Sequence, residues 1–100
     1  MNVEKTFVDT NVFVYAYDTS AGKKHEIARE ILIELWNSGL GVISTQVLQE
    51  FFVTVTRKIP KPLEFKMVRQ ILADLLKWEV VLIEGILLLN AVDFQEHGKI

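Results

Sequence analysis

The sequence contains no cysteine, only two prolines and two histidines, and no excess of basic residues, with 11 Lys and Arg against 13 Asp and Glu. Without cysteine, disulfides and thiolate-held metals are excluded, and the composition fits a reducing compartment. The formal charge of -2 argues against a generally basic surface, so any nucleic-acid binding has to rest on a local patch. The opening Met1-Asn2-Val3-Glu4-Lys5 lacks a basic start followed by an apolar stretch, so no secretory signal is visible. The most apolar region, residues 80–92, is interrupted by Glu84, Gly85 and Asn90 and is shorter than the ~20 residues a membrane span takes. A soluble, cytoplasmic protein with no membrane partner is expected.

What is present is one small domain's worth of chain, 100 residues of which half are hydrophobic. Residues 5–8 run basic, polar, apolar, apolar and meet Asp9-Thr10-Asn11 before Val12-Phe13-Val14 resumes the apolar signal, the pattern of a buried parallel strand whose carboxyl end carries function. A short helix follows over residues 12–17, and then a loop over 18–22 in which Thr19 or Ser20 is available as a cap and Asp18 is a loop acid. Ile27, Ala28, Ile31, Leu32, Leu35 and Trp36 recur at helical steps, which predicts a helix over 23–38 stopped by Gly39. His25 falls in its first turn among charged residues and reads as solvated.

The theme then repeats. Gly41-Val42-Ile43-Ser44 is a second strand passing into a helix capped by Ser44 or Thr45 and running to about Lys58. Pro60-Lys61-Pro62 ends that helix and starts the next, whose core stripe is Met67, Val68, Ile71, Leu72, Leu75 and Leu76. Residues 80–83 are a third strand, and Glu84-Gly85 turns into a last helix over 86–96 ended by Gly98. Strands alternating with helices imply a parallel α/β sheet with right-handed crossovers and helices on both faces, here three strands and about five helices.

Two acids stand out on this scheme. Asp9 ends the first strand, and Glu50 lies in the helix after the second, with Val47 and Val53 three residues to either side and Phe51 and Phe52 directly following. Asp9 has a plain structural role open to it, as the cap of the next helix. Glu50 among apolar neighbours is costly unless paired or bound to a cation. If the two strands are neighbours, both carboxylates approach one edge of the sheet, where a hard divalent cation would relieve their repulsion.

Phe7-Val8-Asp9-Thr10-Asn11-Val12, followed by Ile43-Ser44-Thr45-Gln46-Val47-Leu48-Gln49-Glu50-Phe51, resembles the PIN-domain nucleases, and within them the VapC toxins of toxin-antitoxin pairs. The resemblance covers essentially the whole chain. It implies a three-layer fold, RNA as substrate, Mg2+ or Mn2+ as cofactor, a cognate VapB-like antitoxin and a homodimer. Carried across residue by residue, it makes Asp9 and Glu50 the catalytic metal-binding acids and Asn11 and Thr45 the polar residues that steady the first acid and its water. Arg57 and Lys58 are the candidate RNA contacts.

The family places a third acid, often a fourth, on the segment after the helix that here ends near Gly98, whereas Asp93 and Glu96 fall inside that helix. The expectation is a fold incomplete at its C-terminus and an isolated chain without activity, its first strand left as an open edge. The alternative expectation is a catalytically inactive PIN-like module that dimerises or captures an antitoxin.

Overall fold

The computed structural model describes residues 4–82. In chain order the elements are β1 (Thr6–Phe7), α1 (Thr10–Tyr17), a 3-10 turn (Thr19–Ala21), α2 (Lys23–Ser38), β2 (Gly41–Ser44), α3 (Thr45–Arg57), α4 (Phe65–Leu75) and β3 (Glu79–Val81). The strands form one parallel sheet in the order β1-β2-β3, with Phe7 opposite Val42 and Ile43 opposite Val80. The mixed α/β class is the expected one, with four α-helices described. The predicted helix over 86–96 and the end of the third strand at Ile83 lie outside the described residues.

Successive residues of a strand point to opposite faces. Val42 and Ile43, at 1 % and 0 % exposure, are therefore buried on the two sides of β2, and both faces of the central strand are covered. On one side Val8, Phe13, Ile43, Leu48, Phe51, Val55, Val68 and Leu75 form a continuous core. Phe51 is its hub, meeting Phe13 edge-on at 6.2 Å and Tyr17 at 5.5 Å between ring centroids. Full burial of each such side chain contributes about 1.5–3 kcal/mol. At the other end of the sheet Trp78 packs against Phe13 at 5.6 Å and Trp36 at 6.0 Å.

Several local expectations change in the structure. The loop before α2 is capped by Asp18, whose carboxylate accepts from the Ser20 amide at 3.0 Å, rather than by Thr19 or Ser20. Gly22 then opens α2 at φ 62, a backbone that favours glycine. Gly39 closes α2 in the left-handed conformation at φ 71, as its position predicts. His25 is half-buried rather than solvated, and its Nδ1–H donates to the Tyr15 carbonyl at 2.9 Å, tying the start of α2 to α1.

The α2 core stripe is narrower than the periodicity implies: Ala28 is buried and Leu32 and Leu35 half-buried, while Ile27, Ile31 and Trp36 are exposed. The helix packs chiefly against α1, which covers only the middle of the apolar arc. Pro62 does not start α4. Leu63 donates its amide to the Val55 carbonyl at 2.8 Å, which holds the segment extended against α3 until the helix begins at Phe65. On α4, Val68 and Leu75 face the core, but Met67 and Leu76 are exposed. Among the described residues no helix is long and apolar enough to cross a membrane.

Candidate metal centre

Parallel pairing of β1 with β2 brings their carboxyl ends side by side, and each strand passes almost at once into a helix. Asp9 occupies the N-cap position of α1 with extended backbone angles, yet its side chain makes no capping hydrogen bond. Among the described residues no ion pair engages that carboxylate either. It projects, exposed and unspent, into a cleft of about 590 Å³ lined by Asp9, Thr10, Asn11, Gln49, Glu50 and Lys58, with Val53 and Thr54. The capping role that the tripeptide alone leaves open to this side chain is not the one it performs.

Glu50 enters the same cleft from α3. Ser44 caps that helix by accepting from the Val47 amide at 3.1 Å, which sets its start and so the phase of every residue along it. In that phase Leu48, Phe51 and Val55 turn into the core and Glu50 turns outward. Its apolar sequence neighbours therefore do not enclose it: Glu50 is exposed, and the desolvation cost expected from its surroundings does not arise. Both of its oxygens are engaged instead. Thr10 Oγ1 donates to Oε2 at 2.8 Å, and Gln46 Nε2 donates to Oε1 at 3.2 Å.

Of the residues singled out in the sequence, Asp9, Asn11, Glu50 and Lys58 meet in this cleft, while Arg57 and Thr45 are not among its lining residues. Thr10 and Gln46 carry no signal of their own in the sequence. The hydroxyl of Thr10 gains its role only once β1 and β2 are paired, because it reaches a partner forty positions away. Gln46 precedes Glu50 by one helical turn, a spacing at which side chains meet.

The lining polar groups are two carboxylates, two amides, two hydroxyls and an ammonium, with no imidazole or thiol. Oxygen donors of this kind suit a hard divalent cation. Among the described residues no third His, Cys, Asp or Glu joins the pair. Asp93 and Glu96 lie outside the described residues.

Next to this cleft runs an apolar groove of about 390 Å³ between α3 and α4, lined by Leu48, Phe52, Leu72 and Leu76 and sharing Gln49 and Val53 with it. Phe65 lies at the far end of the same helix pair, 5.6 Å from Phe52 between ring centroids.

Comparison with curated proteins and with solved structures gives no match. The model of the PIN domain family matches residues 6–99. A nuclease-type fold and the general use of divalent metals go with that family, and the cleft lies where Asp9 and Glu50 converge. The chain belongs to the PIN domain family.

Proposed function

We propose that this chain is a VapC-like toxin ribonuclease that hydrolyses RNA phosphodiester bonds at the Asp9–Glu50 cleft with Mg2+ or Mn2+, under the control of a VapB-like antitoxin. The observation that supports it most is the state of the two carboxylates. One is left free at a helix cap, and the other is oriented by two donors toward the same cleft. A cation held there would lower the pKa of a bound water and stabilise the leaving oxygen of the phosphodiester.

The chain's own groups divide the remaining work. Asp9 and Glu50 supply anionic oxygens, and Thr10 and Gln46 keep Glu50 from rotating away. Asn11 lies beside Asp9 to hold its water, with Thr45 one turn before Gln49 on α3. Lys58 lines the cleft and supplies a positive charge to attract a phosphate, with Arg57 adding positive charge at the helix end.

The test is cleavage of labelled RNA oligonucleotides in MnCl2 or MgCl2 by the wild-type chain and by Asp9→Asn and Glu50→Gln. Cleavage that needs the cation and disappears in both variants supports the proposal. Equal cleavage by wild type and Asp9→Asn places the chemistry elsewhere.

A second reading, a catalytically inactive module that dimerises or captures an antitoxin, is favoured by one observation: the described residues offer two acids and no third. The exposed Leu76 and Val53 of the α3–α4 groove, with Phe65 at the far end of the helix pair, rather than the β1 edge alone, are the surface on which a second copy would bury apolar area. Cation binding without RNA cleavage, together with a dimer in light scattering, supports this reading over the first.

A further inference from the structure

Glu50 is the better-held of the two acids, and the source of that hold is unequal. Thr10 belongs to α1 and reaches Glu50 across the cleft, whereas Gln46 sits one turn before Glu50 on α3 itself. The hydroxyl fixes one oxygen in space. Alone, it leaves the carboxylate free to swing about that single contact, and Glu50 is exposed, so no packing stops the swing. The Gln46 amide holds the other oxygen and thereby the plane of the group. Each oxygen has a second lone-pair direction left for a cation.

We infer that Gln46 is a positioning residue for divalent-cation binding: by donating to Oε1 it fixes the plane of the Glu50 carboxylate and raises the affinity of the cleft for Mg2+ or Mn2+. The inference rests on the proposed metal site and adds a residue to it. Gln46 is exposed and takes no part in the core, so its removal is not expected to unfold the chain. Groups that orient a metal ligand without touching the metal typically change affinity by about 10- to 100-fold when lost.

The experiment is a MnCl2 titration followed by water-proton relaxation on the wild-type chain, Gln46→Met, Glu50→Gln and the double variant, with a urea melt of each as a check on folding. Methionine keeps the length of glutamine and removes the donor. Gln46→Met is expected to weaken Mn2+ binding about tenfold. In the Glu50→Gln background the same substitution is expected to change nothing further, because its effect passes through the carboxylate. Binding by Gln46→Met within twofold of wild type overturns the inference, as does an equal loss in the Glu50→Gln background, which a general structural effect would produce. If the wild-type chain takes up no Mn2+, the metal site itself fails and the inference with it. If Glu50→Gln loses binding while Gln46→Met does not, the site stands and only the role of Gln46 falls.

Discussion

Thr10 Oγ1, in the first turn of α1, donates to Oε2 of Glu50, on α3, at 2.8 Å. The bond joins the two halves of the cleft directly, so the placement of Glu50 relative to Asp9 depends on a hydroxyl immediately after Asp9 in sequence. Replacing Thr10 with valine keeps the shape and removes the donor. Both partners are near the surface, so the urea midpoint should move by less than about 1 kcal/mol in stability. Mn2+ affinity should fall about tenfold, within the range for lost ligand-orienting groups. Unchanged affinity in Thr10→Val would detach the hydroxyl from the metal site.

Among the described residues that line the acidic cleft, Lys58 is the cation. Lys58→Ala should weaken RNA binding uniformly across sequences and lower the slope of log affinity against log salt by about 1, the signature of one lost phosphate contact. Arg57→Ala, at a position not lining the cleft, should have the smaller effect. The reverse ranking would move the RNA path to the other side of the helix end.

Gly41 opens β2 directly beneath the Trp78 ring, where a Cβ would overlap several ring atoms. Trp78 is wedged between Phe13 and Trp36 and cannot step aside without disturbing both. Gly41→Ala should destabilise the domain by roughly 1–3 kcal/mol, the usual cost of overpacking. Urea unfolding monitored by tryptophan fluorescence reads both the stability and the altered ring environment. A stability equal to wild type would show that the indole moves freely.

The Tyr17 phenol is raised above its ordinary value, first by burial and second by the negative charge of Asp74. A raised acid is harder to ionise in the folded state than in the unfolded chain. Below the unfolded value of about 10 both states hold the proton and nothing is lost. As pH rises past that value the unfolded chain releases its proton first, and stability falls. Thermal melts should therefore show midpoints dropping above about pH 10, with Tyr17→Phe giving a shallower drop. A parallel drop in both proteins would assign the alkaline limb to other groups.

Much of this was legible in the sequence because short apolar runs meeting polar residues occur twice, at Asp9 and at Ser44, and each marks a strand end passing into a helix. The boundaries of α2 and α3 follow from Gly39 and Ser44, residues whose conformation or side chain ends or starts a helix by itself. What stayed hidden depends on partners distant in sequence. The periodicity of α2 shows an apolar arc but not how little of it α1 covers, hence the exposure of Ile27 and Trp36. Apolar neighbours in sequence make Glu50 look enclosed, although a helix turns adjacent residues to different sides. Thr10 and Gln46 were illegible because a hydroxyl or an amide becomes a positioning group only beside the acid it serves.

Glu50 and Phe51 are consecutive, yet one faces the cleft and the other is fully buried at the centre of the core. Their places are set by helical phase, counted from the Ser44 cap, and one residue of an α-helix corresponds to about 100° of rotation. A one-residue insertion between Thr45 and Gln49 would therefore carry the acid into the fully buried place of Phe51 and the ring out to the half-buried place of Phe52, removing chemistry and folding in one event. The same insertion in the exposed Pro60-Lys61-Pro62 segment would leave that count intact. Length variation among relatives of this chain should accordingly gather after α3 and be absent from its first turn and a half.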